Sequence, residues 1–148
     1  MRINPFNDSY FMSEALKEAK KALEKDEVPV GCVVVCDNQI ISRGHNLTER
    51  LNDVTAHAEM QAITAASDFL GGKYLDECTM YVTLEPCIMC GGALYWTRLK
   101  KLVCGTQDSK LGYSKLPSNI LSDKTEIING VMEAECSKLL IDFFKSKR

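Results

Sequence analysis

The sequence predicts an α/β protein, built as a three-layer α/β/α sandwich. Three observations carry that expectation. Short β-branched runs alternate with stretches of helical apolar periodicity, the pattern of a sheet covered on both faces. No repeat or low-complexity tract interrupts the alternation. The 148 residues, 45% hydrophobic and 26% charged, suit one domain over 1–148 with a single core.

The elements follow in order. Asp8 and Ser9 form a capping signal, after which Met12, Ala15, Leu16, Ala19, Ala22 and Leu23 recur at helical spacing. Pro29 and Gly31 break that helix. "GCVVVC" reads as a buried strand, and a polar "DN" turn joins it to "QIISRGHN" in a hairpin. Residues 56–66, rich in Ala and Met, read as a helix ending before "GG". "CTMYVTL" is the next strand, and Pro86 suits the first turn of a helix reaching Arg98. "KKLVCG" is a fourth strand, 106–123 a loop, "TEIING" a short strand, and 133–145 a closing helix.

Composition excludes several classes. No apolar stretch approaches the eighteen or so residues of a membrane span, and the first 25 residues are too polar for a signal peptide. The cytoplasm is the expected compartment. Seven cysteines, an odd number mostly inside apolar runs, point to core positions or metal chemistry rather than a disulfide framework. The net charge of −2 is uneven: residues 98–115 carry +4, the last four residues +3, and the remainder −9. Such a basic surface on an acidic body can steer a polyanion, although charge alone favours the plainer reading of a solvated face.

Two cysteines stand three apart behind a proline in "TLEPCIMCGG", residues 83–92. Such a pair can be a redox couple, half of a structural zinc knot, or two arms of a catalytic metal site. The stretch "TAHAEMQAI" weighs between them. His57 and Glu59, two apart, would diverge in mid-helix, but at a helix start both reach into the space beyond its end. Cys87 and Cys90 also open a helix, where the dipole favours thiolates. A redox pair leaves His57 and Glu59 unexplained. A structural zinc needs two more ligands, yet there is no second Cys-x-x-Cys, and Cys32 and Cys36 lie roughly 13 Å apart on one strand. With His57, Cys87 and Cys90, zinc has nitrogen and sulfur donors and a fourth position for water. Two thiolates cancel the ion's charge, so a base must help take the proton, and Glu59 is placed for it. The hydroxide made this way attacks an electron-poor carbon, and the same carboxyl hands the proton to a leaving amine.

The two motifs resemble the His-x-Glu and Pro-Cys-x-x-Cys signature of zinc nucleobase deaminases. "VPVGCVVV", "GHN", "TAHAEM", "YVTLEPCIMCGGAL", "GTQDSK" and the tail "LLIDFFKSKR" are similar in order and spacing to the bacterial tRNA adenosine deaminases, over nearly the whole chain. The resemblance implies a cytidine deaminase-like fold with a mixed central sheet of about five strands, a homodimer, and one Zn2+ per chain. It implies hydrolytic deamination of the wobble adenosine of a tRNA anticodon to inosine. By motif match, His57, Cys87 and Cys90 would bind the zinc and Glu59 would shuttle protons. Asn46 would hydrogen-bond the flipped base, its amide offering both a donor and an acceptor. Asp108 and Lys110 would touch nucleotides beside the target, and Phe144 and Lys145 would lie along the RNA. Phe143 matches the same tail, and either phenylalanine taken alone is expected in the core of an amphipathic helix. His45 has no family role and reads as structural or solvent-facing. After "DSK" the family has small residues, whereas "LGYSKL" here brings in Tyr113, Lys115 and Leu116. "GGALYW", with Tyr95 and Trp96, resembles the guanine deaminases, so deamination of a free base or nucleoside, guanine or cytosine, is the alternative. Those proteins have proline where Ile88 stands and lack the "DFFKSKR" ending, which favours RNA.

Overall fold

The computed structural model describes residues 4–148. The elements are α1 (Asp8–Glu24), β1 (Gly31–Cys36), β2 (Gln39–His45), α2 (Ala58–Leu70), β3 (Cys78–Leu84), α3 (Ile88–Thr97), β4 (Lys101–Thr106), β5 (Glu126–Ile128) and α4 (Glu133–Ser146). Each sequence-derived strand is present. Several boundaries move. The cap of α1 is Asn7, whose side chain accepts the Tyr10 N–H at 2.8 Å, one residue before the expected signal. That helix ends at Glu24 rather than near Pro29, because Asp26 takes a left-handed backbone with φ 59°. Asp37 and Asn38 both have positive φ, the geometry of a two-residue hairpin turn whose twist matches the flanking strands. Within the long loop, Tyr113–Lys115 form one 3-10 turn.

The sheet runs in the order β2-β1-β3-β4-β5. β1 is antiparallel to β2 and β3, whereas β3–β4 and β4–β5 are parallel, so the sheet is mixed. Side chains alternate along β1, β3 and β4, whereas the β1–β2 register slips between Val34 and Val35 and leaves Ile41 and Ser42 both on the α2 side. Cys32, Val34, Met80, Val82, Leu102 and Cys104 face Ala58, Ala62 and Ala66 of α2 and Leu94 of α3. Val33, Val35, Tyr81 and Val103 face Phe11, Met12, Ala15 and Leu16 of α1 and Cys136 of α4. Helices therefore cover both faces, as the alternation implied. The registers Gly31↔His45, Cys32↔Val82 and Leu84↔Thr106 bring the start of β1 and the ends of β2, β3 and β4 to one edge. His57, Cys87 and Cys90 gather beyond that edge.

The helices approach the sheet closely where a side chain is missing. A Cβ on Gly31 would collide with the backbone nitrogen of Ala19 and the carbonyl oxygen of Ala15 in α1. Nothing lies within 4 Å of the corresponding position on Gly72. Gly31→Ala should cost about 1–3 kcal/mol through overpacking. Gly72→Ala should change stability by less than about 0.5 kcal/mol. Urea denaturation midpoints read both, and equal midpoints would contradict so tight a contact between α1 and β1.

Candidate metal centre and its surroundings

Two helix starts meet at the sheet edge. His57 and Cys87 occupy the N-cap positions of α2 and α3, with extended backbones at φ −71° in each case. The helix at 56–66 in the sequence reading therefore begins at Ala58 and runs on to Leu70. Pro86 stands one residue before the cap of α3, not in its first turn. Neither side chain makes the usual N-cap hydrogen bond, and the His57 ring meets the Cys87 sulfur in the space the two helices share. Cys90 follows in the first turn of α3 and is fully buried.

His57 Nδ1 lies 3.6 Å from the sulfur of Cys87 and 3.6 Å from that of Cys90. All three donor atoms fall within 4.8 Å of one another. A tetrahedral zinc with metal–sulfur bonds of about 2.3 Å and a metal–nitrogen bond of about 2.05 Å sets its nitrogen and sulfur donors about 3.6 Å apart. The residues present fit that ion.

Electrostatics support the same fit. A hydrogen bond with Cys90 holds Cys87 down to about 4, and the His57 ring adds to the effect. Cys90 is pushed well up by its bond to Cys87 and by burial. Two sulfurs this close share one negative charge between them, and a divalent cation is what lets both ionise together. The Cys87 thiolate raises His57. Glu59, only 3% exposed, is pushed up to about 7 chiefly by burial. A carboxyl near neutrality can both accept and return a proton at physiological pH.

The structure brings Glu59 against Cys87, His57 and Cys90. Asn46 is buried nearby, since Leu47 N–H donates to the carbonyl of Ala56 at 2.9 Å. Its amide makes only long bonds, both at 3.4 Å, from Nδ2 to Val28 O and from Thr48 N–H to Oδ1. Asp108 and Lys110 lie on the loop after β4, which bridges back to Cys87 through Gly112. Asp108 Oδ1 accepts the N–H groups of Lys110 and Leu111, each at 3.0 Å, while the Lys110 side chain is exposed. Phe144 and Lys145 sit exposed in the last turns of α4. Their neighbours Phe143 and Lys147 line a cleft with Val28 and Thr48, beside the loop that starts at Asn46. His45 is half-buried between Glu18 and Lys25, a structural placement.

Two residues escaped the sequence reading. Glu27 is 1% exposed and accepts from the backbone N–H groups of Glu49 at 3.0 Å and Arg50 at 2.8 Å. Glu85 is 4% exposed and accepts from Asp108 N–H at 3.1 Å and Ser114 N–H at 2.9 Å. A carboxylate inside a buried run must find donors, so the acids in "DEVPVG" and "TLEPC" were the available signal.

Residues 5–106 match the cytidine and deoxycytidylate deaminase zinc-binding region. The chain is 48% identical over 143 residues to the tRNA-specific adenosine deaminase of Aquifex aeolicus, covering 94% of this chain and 95% of that one. A structure solved in a study of A-to-I editing by tRNA:A34 deaminases superposes with a TM-score of 0.82 at 40% identity, over 89% of this chain and 99% of the other. A guanine deaminase structure from Bacillus subtilis superposes with a TM-score of 0.65 at 39% identity, over 68% of this chain and 65% of the other.

Replacing any one of His57, Cys87 or Cys90 by alanine should lower bound zinc from about one ion per chain to near none, because three donors are the minimum for a tight open site. Atomic absorption on the purified variants measures this. A Cys90→Ala chain that keeps a full complement would exclude the trio as the metal site.

Proposed function

The chain belongs to the cytidine and deoxycytidylate deaminase zinc-binding family, and from that premise we propose that it deaminates the wobble adenosine of a tRNA anticodon to inosine. The observation that carries this reading is the reach of the likeness. Identity with a tRNA-specific adenosine deaminase spans 94% of the chain, well past the end of the zinc-binding region at residue 106. The likeness to the guanine deaminase structure covers 68%. The loop carrying Lys110, which bridges to Cys87 through Gly112, gives the donor trio a basic neighbour that suits a polyanion better than a free base.

In this reading His57, Cys87 and Cys90 hold one zinc per chain. Zinc, when bound, supplies the Lewis acidity that activates a water molecule. Glu59 takes the proton that this water gives up and delivers it to the nitrogen leaving C6 of the purine, so adenosine and water become inosine and ammonia. Asn46 can exchange its long internal bonds for the edge of the flipped base, at little cost. Asp108 and Lys110 contact nucleotides beside the target, while Phe144 and Lys145 lie along the strand. The proposal includes a second copy of the chain, because Ile88, Tyr95 and Trp96 form an exposed stripe on α3, with Trp96 at 77% exposure. No helix among the described residues is long and apolar enough to cross a membrane. The cytoplasm, where tRNA is found, is the proposed compartment.

Purified chain offered an anticodon stem-loop, free guanine and free cytosine side by side should convert only the RNA. Glu59→Ala should keep its zinc and lose about 10²–10⁴-fold in turnover. Efficient release of ammonia from guanine with none from the stem-loop would replace this reading by the free-base one. Stem-loop binding should also weaken with salt, with a log–log slope of about −3 if four phosphates are neutralised. A flat response would remove the basic tail and Lys110 from the interface.

A further inference from the structure

The loop after β4 is strung on a single buried side chain. Glu85 joins β3 to Pro86 and Cys87, and its own N–H donates to Thr106 O at 2.8 Å, locking it to the end of β4. Its Oε1 accepts from Asp108 N–H and its Oε2 from Ser114 N–H, so one carboxylate closes both ends of the span 108–114. Between those anchors, Tyr113 N–H donates to Pro86 O at 3.0 Å, and Gly112 bridges Cys87. Gly112 has an ordinary backbone, φ −64° and ψ 146°, which any residue adopts. Its missing side chain is required for another reason: a Cβ there would fall into the carboxyl group of Glu85. The loop backbone thus passes directly over Glu85.

We infer that Glu85 is a positioning residue, which sets the loop carrying Asp108 and Lys110 at a fixed height against the metal-ligand segment and thereby governs how the nucleotides flanking the target are held. This inference rests on the deaminase reading for its functional consequence, although the loop contact itself does not. Two N–H donors aimed at one side chain need an acceptor at both oxygens. A carboxylate supplies this; an amide of the same shape offers one oxygen and opposes the other N–H with an NH2 group.

Glu85→Gln should therefore keep its zinc and fold, yet lose about tenfold in protection from hydrogen exchange at Asp108 or Ser114. KM for the stem-loop should rise about tenfold while kcat changes by less than about threefold. Gly112→Ala should show the same KM defect, because its Cβ displaces the same carboxyl. The two sites should be non-additive: Gly112→Ala placed in a Glu85→Ala background should add little to either readout, since the colliding group is gone. Unchanged exchange and KM in Glu85→Gln would overturn the inference. So would loss of zinc with exchange protection at Asp108 and Ser114 intact, which would make Glu85 a support of the metal ligands alone, and so would strict additivity of Gly112→Ala and Glu85→Ala. If the wild-type chain fails to act on the stem-loop, the deaminase reading falls. The exchange measurements and the double-variant cycle on them then still decide the role of Glu85.

Discussion

The convergence of two helix N-termini is the constraint on which the rest of the structure depends. His57 opens α2 and Cys87 opens α3, thirty residues apart in the chain, and the sheet edge places them side by side. Each helix end brings unpaired N–H groups and a positive dipole end, which together lower the cost of gathering thiolate charge there. The tight seating of the helices on the sheet follows from the same demand. Alanines dominate the inner face of α2, so that helix lies close to β1 and β2 and its first residue arrives at the proper depth.

Much of this architecture was legible in the sequence because strands announce themselves by alternation. "GCVVVC" and "CTMYVTL" contribute to both core layers with a period of two, and no competing period fits them. Helix ends were less legible. Ala56 is buried and apolar, which reads as helical, but it is buried because its carbonyl accepts the N–H of Leu47 in a loop. Phe69 and Leu70 extend α2 past its apolar stripe onto the surface, so periodicity stops before the helix does. Pro86 is compatible with a first helical position, yet the cap must be Cys87 for its sulfur to turn outward. The donor set could be read from spacing and residue type. Which nitrogen of His57 faces the sulfurs could not, because it depends on how the folded chain seats the ring against Cys87 and Cys90.

The buried acids show where local reading fails for a physical reason. Glu27 and Glu85 take backbone N–H groups from segments twenty or more residues away, and no pattern of neighbours encodes such partners. They have a common effect. Glu27 gathers the loop after Asn46, and Glu85 gathers the loop after β4, so the two walls beside the donor trio are each tied to the interior by a carboxylate. Loops so tied lose the freedom that surface connections ordinarily keep, so their backbones are set before anything binds.

The mixed direction of the sheet also has a kinetic consequence. β1 and β2 close through a two-residue turn, a local event on the microsecond scale. The parallel pairing of β3 with β4 must wait for a crossover through α3, and the pairing of β1 with β3 spans the whole of α2. His57 belongs to the segment before that closure and the two cysteines to the segment after it. Nascent chain leaving the ribosome therefore presents no complete chelate, and an ion seated here arrives as a late passenger rather than as the seed of assembly.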